Sequence, residues 1–126
     1  LDGVPRSLPA VVKATRIQEK AQGIGFDWDE ISQVWDKCRE EFGELEEAVE
    51  QQRQDEIESE MGDLLFSIIN LSRFLKVDAE SALERTNKKF ISRFRYLEEK
   101  VNQEGKVLSE MSLAEMDRYW EEAKGL

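Results

Sequence analysis

Histidine is absent from this chain and cysteine occurs once. Without histidine there is no Ser–His or Cys–His nucleophile pair, no zinc-protease motif and no Glu-x-x-His di-iron site. The lone Cys38 cannot close an internal disulfide, which fits a reducing, cytoplasmic setting. Its apolar neighbours at helical spacing make it a small buried hydrophobe rather than a nucleophile. Only two prolines and seven glycines in 126 residues leave room for long uninterrupted helices. No apolar run is long enough for a membrane span and no signal-peptide pattern opens the chain, so no membrane partner is expected. Positive charge is also scarce: 18 lysines and arginines face 28 acids, for a formal net charge of −10. That balance works against a broad grip on a nucleic-acid polymer. An anionic ligand would need a local basic patch or bridging metal ions.

What the chain does have is acid at regular spacing. Glu41-x-x-Glu44 and Glu60-x-x-Asp63 are separated by 15 residues, each pair within a helical pattern. A spacing of three puts both carboxylates of a pair on neighbouring positions of one helix face. Two such pairs on packed helices gather four hard oxygen ligands, a set suited to Mg²⁺ or Mn²⁺. Lys37 falls on the same edge as Glu41 and Glu44.

The surrounding pattern is helical throughout. A first helix is expected from Leu8–Pro9 to about Ala21, stopped by Gly23 and Gly25. Asp27 is expected to cap a second helix running to about Gln52, with Phe26 and Ile31 as a hydrophobic staple. Asp55 is expected to cap a third helix over about 56–76. From Leu64 to Leu75 that helix is apolar around most of its circumference, so it should be buried on most sides, which argues for a bundle completed by a second subunit. One polar strip survives on it: Glu60, Asp63, Ser67 and Asn70. Buried carboxylates are costly unless paired or metal-bound, so this strip needs the Glu41/Glu44 edge as its partner, with Asp63 the most confined acid.

Asp78 is expected to cap a fourth helix over about 79–103, whose Arg85, Lys89 and Arg93 recur every four residues as one cationic stripe. Ser112-x-x-Glu115, flanked by Met111 and Met116, opens a last helix over about 113–124 that carries Trp120 and Lys124. Residues 1–7 lack periodicity and read as a linker remnant of a longer protein. From the residues alone, a metal site and an acidic bundle surface with Asp63 paired to a lysine or arginine both remain open.

The order Glu41-x-x-Glu44, Glu60-x-x-Asp63, then Leu-Leu-Phe-Ser-Ile-Ile-Asn-Leu-Ser-Arg resembles the MazG nucleoside triphosphate pyrophosphohydrolases. Arg16-Ile17-Gln18-Glu19-Lys20 and Gly25-Phe26-Asp27-Trp28 look like the C-terminal MazG domain of bacterial two-domain proteins. Asn87-Lys88-Lys89-Phe90, Arg93-Phe94 and Trp120-x-x-x-Lys124 extend the likeness over nearly the whole chain. The resemblance implies an all-α helical bundle of four to five helices, completed by homodimerisation, with residues 8–126 as the catalytic domain. It implies Mg²⁺-dependent cleavage of nucleoside triphosphates to nucleoside monophosphate and pyrophosphate, with Mn²⁺ as a substitute. By position, Glu41, Glu44, Glu60 and Asp63 match the family's metal ligands. Lys37, Lys89, Arg93, Trp120 and Lys124 match positions that contact the nucleotide. An N-terminal MazG domain in the full-length protein is implied as a partner. Two other readings stay open: a non-catalytic helical dimer serving as an interaction or regulatory module, and a narrower relative such as a dimeric dUTPase.

Overall fold

A computed structural model describes residues 1–126. The fold is all-α: α1 (Ala10–Gly23), α2 (Ile31–Glu50), α3 (Gln54–Phe74), α4 (Ala79–Gln103) and α5 (Leu113–Lys124), with a 3₁₀ turn at Leu108–Glu110 before α5. Five helices in this order match the all-helical expectation.

The helix ends are set by local chemistry. Pro9 stands at the N-cap of α1, just outside the first turn expected for it. Gly25 (φ 88°) and Gly105 (φ 70°) take left-handed backbone conformations after α1 and α4. At both ends the N–H two residues past the cap reaches back into the last turn, Phe26 to the Ala21 carbonyl (2.9 Å) and Lys106 to that of Val101 (3.0 Å). This is the Schellman arrangement, for which glycine is the natural residue. Helices α2 and α3 end the same way without glycine. Gln52 (φ 54°) and Lys76 (φ 59°) accept the left-handed conformation, and Arg53 and Val77 donate back to Ala48 (3.3 Å) and Ser72 (2.9 Å).

Two expected caps are placed differently. Asp27 does not cap α2: its carboxylate is taken by Arg73, with Nη2–Oδ1 at 2.7 Å and Nη1–Oδ2 at 3.1 Å. The helix starts at Ile31 instead, where the Gln33 side chain accepts from the backbone N–H groups of Asp29 and Glu30, both at 3.0 Å. With the start displaced, the Phe26–Ile31 staple does not form, and Phe26 is exposed. Asp55 lies inside the first turn of α3, one residue past its start, so it favours the helix dipole rather than capping. The other two caps stand where expected. Asp78 Oδ2 accepts from Ser81 N (3.0 Å), and Ser112 Oγ accepts from Glu115 N (3.2 Å).

The chain divides into two compact units, Leu1–Ser81 and Ala82–Leu126. In the first, α2 and α3 are joined by three residues and pack along each other, while α1 lies against α3. Ala14, Val34, Ala48 and Leu71 are its buried apolar residues. Their small or branched side chains let the helices approach closely. Gln18 of α1 is buried and its amide donates to the Phe66 carbonyl of α3 (3.0 Å). Cys38 is half-buried, its thiol donating to the Ser67 carbonyl at 3.4 Å. Helix α3 is not buried on most sides within one chain: Leu65, Phe66 and Ile68 remain exposed.

The second unit is built on Leu97, Val101 and Tyr119, with Leu108, Met111, Met116 and Trp120 packed against them. Tyr119 is 2% exposed, and its hydroxyl is fully employed. It donates to Glu104 and accepts from Lys106 and Arg118, both at 3.4 Å. Tyr96 of α4 donates to Glu122 of α5 (3.2 Å), fastening the same pair of helices.

Gln52 is exposed and holds a conformation that costs L-residues about 1–2 kcal/mol, against roughly 0.5–1 kcal/mol of extra unfolded-state entropy for glycine. Gln52→Gly is expected to raise the thermal unfolding midpoint by about 2–4 °C. Calorimetry on the two proteins checks this; an unchanged or lowered midpoint would show that the turn carries no strain.

Candidate functional site

The connection between α2 and α3 sets the register of the acidic residues. Glu41 and Asp63 each stand eleven residues from Gln52, and Glu44 and Glu60 each stand eight. A tight antiparallel hairpin therefore brings equal levels of the two helices together. Carboxylate oxygens of Glu41, Glu60 and Asp63 all lie within 4.8 Å of one another. Glu44 is not one of the three converging residues, yet it stands close enough to feel two of them. Its carboxyl is pushed above the usual range, first by the charge of Glu41, then by desolvation, then by the charge of Glu60.

Burial runs opposite to the expectation drawn from the helix pattern. Glu41 is the deeply placed acid, 6% exposed, while Glu60 is half-buried and Asp63 is exposed. The reason is tertiary. The rim of the α2 stripe turns into the hairpin contact, whereas the α3 seam opens outward at Asp63. Ser67, also in that seam, is buried and spends its hydroxyl on the Leu64 carbonyl (2.7 Å).

Only one cation touches the cluster. Lys37 Nζ sits 3.0 Å from Glu41 Oε1 and 3.4 Å from Glu40 Oε1. Its ammonium is held above the ordinary lysine range, chiefly by the bond to Glu41. One oxygen of Glu41 and one of Glu60 are buried without any hydrogen-bond partner. Buried carboxylate oxygens are ordinarily satisfied, so two orphans facing a cluster of like charge fit a site for a hard divalent cation. Glu41, Glu60 and Asp63 supply the donor type and the convergence that Mg²⁺ or Mn²⁺ takes.

Glu41 and Asp63 border a cleft of about 320 Å³ that is also walled by Trp28, Lys37, Phe66 and Asn70. All six belong to the first unit. Sequence reasoning left Trp28 without a role; the signal was an aromatic two residues past Phe26, in the loop leading into the acidic helix.

The remaining candidates belong to the second unit. Lys89 and Arg93 lie one turn apart on α4, and neither forms an ion pair. Trp120 is half-buried, its ring 5.0 Å from that of Phe90 at an interplanar angle of 51°. Lys124 pairs with Glu121 at 3.1 Å. Trp120 thus has an intramolecular packing role, while the Lys89–Arg93 stripe stays free to meet an anion.

The chain is similar to known proteins across this region. A family model described as the MazG nucleotide pyrophosphohydrolase domain matches residues 30–97, which hold all four acids, Lys37, Lys89 and Arg93. The nucleoside triphosphate pyrophosphohydrolase/pyrophosphatase MazG of Thermotoga maritima is 50% identical over 118 residues, 94% of this chain and 45% of that protein. The nucleoside triphosphate pyrophosphohydrolase of Escherichia coli K12 is 41% identical over 126 residues, 98% of this chain and 48% of that protein. The protein YabN of Bacillus subtilis is 46% identical over 125 residues, covering 98% of this chain and 26% of that one. The chain thus spans about half the length, or less, of the curated relatives it matches.

The upward shift of Glu44 has a defined sign in stability. Its folded carboxyl binds a proton more tightly than the unfolded one, so its contribution is fully present below the unfolded value of 4.5 and is lost as pH rises through the raised folded value. In chelator at neutral pH, Glu44→Gln is expected to raise the thermal midpoint, with the difference shrinking on acidification below the ordinary carboxylate range. Melting curves of both proteins across pH check this; a variant less stable at neutral pH contradicts the crowding of like charges.

Proposed function

The chain belongs to the MazG nucleotide pyrophosphohydrolase family, and on that premise we propose that it is a Mg²⁺-dependent nucleoside triphosphate pyrophosphohydrolase. It would cleave the α–β linkage of (d)NTPs to nucleoside monophosphate and pyrophosphate. The observation that carries this reading is the convergence of Glu41, Glu60 and Asp63 within 4.8 Å, with buried oxygens of Glu41 and Glu60 left unbonded. An acidic cleft repels a triphosphate, which carries about four negative charges, unless divalent cations bridge the two.

Glu41, Glu60 and Asp63 would hold the cation, with Glu44 at the edge of the set. When bound, the cation offsets the charge of the phosphate oxygens and makes the phosphorus more electrophilic. Lys37 offsets the charge on one Glu41 oxygen and leaves the other without a hydrogen-bond partner. Glu44, outside the converging trio, is the carboxylate left to accept the proton of the attacking water on one of its oxygens. Lys89 and Arg93, free of ion pairs, would take β- and γ-oxygens, with Trp120 and Lys124 as further contacts to the nucleotide.

A homodimer belongs to the same proposal. The exposed Leu65 and Ile68 of α3 are an apolar surface that a second copy would cover. A cytoplasmic setting is supported by the single cysteine, and no helix is long and apolar enough to cross a membrane. The length of the relatives supports a second domain in a longer protein, and a MazG domain is the partner proposed for that place.

Glu41→Gln and Asp63→Asn are each expected to lower pyrophosphate release by about a hundredfold or more while circular dichroism stays helical. Lys89→Ala and Arg93→Ala are expected to raise KM about tenfold with smaller changes in kcat. A panel of NTPs and dNTPs with Mg²⁺, with monophosphate and pyrophosphate quantified separately, measures all four variants. Full activity in both acid variants ends the metal assignment, and activity on dUTP alone replaces the broad reading by the narrow one.

A further inference from the structure

Trp28 is anchored through its backbone, while its ring stands free at the cleft. Trp28 is 42% exposed and walls the same cleft as Lys37, Glu41 and Asp63. Its backbone N–H donates to Asp27 Oδ1 at 2.9 Å. That same oxygen accepts from Arg73 Nη2 at 2.7 Å, and Arg73 Nη1 reaches Asp27 Oδ2 at 3.1 Å. The pair is well enclosed, with Arg73 14% and Asp27 18% exposed at the side chain. The bond to Arg73 holds the Asp27 carboxyl below its ordinary range. Arg73 Nη2 also donates to Asn70 Oδ1 at 2.7 Å, and Asn70 is another wall of the cleft. A two-pronged guanidinium on α3 therefore ties the loop carrying Trp28 to the helix carrying Asp63.

An exposed aromatic gains nothing from being fixed unless something flat is to meet it. Fixing it in advance spares the ordering cost when a ligand arrives. We propose that Trp28 is the nucleobase wall of the cleft, stacking on the base of a triphosphate whose phosphates face Glu41, Glu60 and Asp63, and that Arg73 is the positioning residue that holds it there. This rests on the pyrophosphohydrolase reading and adds to it the part of the substrate that the acids cannot recognise. Every base presents a π-face, so a stacking wall accepts purines and pyrimidines alike while rejecting ligands without a base.

The test compares nucleoside triphosphates with methyl triphosphate, which has the phosphates and lacks the base. With Mg²⁺, Trp28→Ala is expected to raise KM for ATP and CTP about tenfold to a hundredfold, leaving kcat and all constants for methyl triphosphate unchanged. Trp28→Phe should restore most of the loss, since it keeps an aromatic face. Arg73→Lys, which keeps the charge and loses the fork, should reproduce the nucleotide-only rise in KM. Equal losses on both substrates, or no loss on either, overturn the stacking role; the same result for Arg73→Lys overturns the positioning role. Should the wild-type protein hydrolyse neither compound, the pyrophosphohydrolase reading fails by itself. Calorimetric binding of α,β-methylene-ATP and methyl triphosphate then reads the stacking alone. A tenfold or greater loss in Trp28→Ala confined to the nucleotide analogue supports it; parallel losses, or no binding by the wild type, overturn it.

Discussion

Repulsion among carboxylates is the constraint around which the first unit is arranged. Glu41 and Glu60 have oxygens within 4.8 Å across the α2–α3 hairpin, and Lys37 is the one cation in contact with the set. At that separation two unit charges repel by about 1–3 kcal/mol for effective dielectric constants between those of water and a protein surface. Burying one aliphatic side chain such as Val34 returns about 1.5–3 kcal/mol. The two terms are of the same size, so the contact of α2 with α3 is held against its own polar edge. A hairpin arranged this way has an intrinsic use for a counter-charge, and the unbonded oxygens of Glu41 and Glu60 mark where it is wanted.

The second recurring device is the use of one polar side chain to serve two or more partners. Arg73 joins Asp27 in the α1–α2 loop to Asn70 on its own helix, and so the loop that carries Trp28 is tied to a wall of the cleft. Tyr119 plays the corresponding part in the second unit, where Glu104, Lys106 and Arg118 converge on one buried hydroxyl. In both places a donor or acceptor with several bonding directions replaces apolar packing that a small unit has too few residues to supply.

Much of this was legible beforehand. The helices, the Gly25 termination, and the Asp78 and Ser112 caps follow from spacing and from residues with strong local preferences. The gathering of Glu41, Glu60 and Asp63 was legible too, from two acidic pairs on packed helices, while Glu44 stands beside the trio rather than in it. Asp27 was misassigned because a cap and an ion pair ask for the same carboxylate, and the competing partner, Arg73, lies 46 residues away. Lysine and glutamine at left-handed positions were equally invisible, since only hydrogen bonds from the following residue reveal them.

By itself, the sequence determined the helical class, the helix order and the kind of chemistry available. Those depend on composition, period and the donor types a chain without histidine retains. Tertiary structure alone decided which acid is buried, which loop residue faces the cleft and which apolar face of α3 stays open. Each of these depends on which side of a helix meets a neighbour. A periodic pattern describes every side of a helix equally well, and only packing chooses among them.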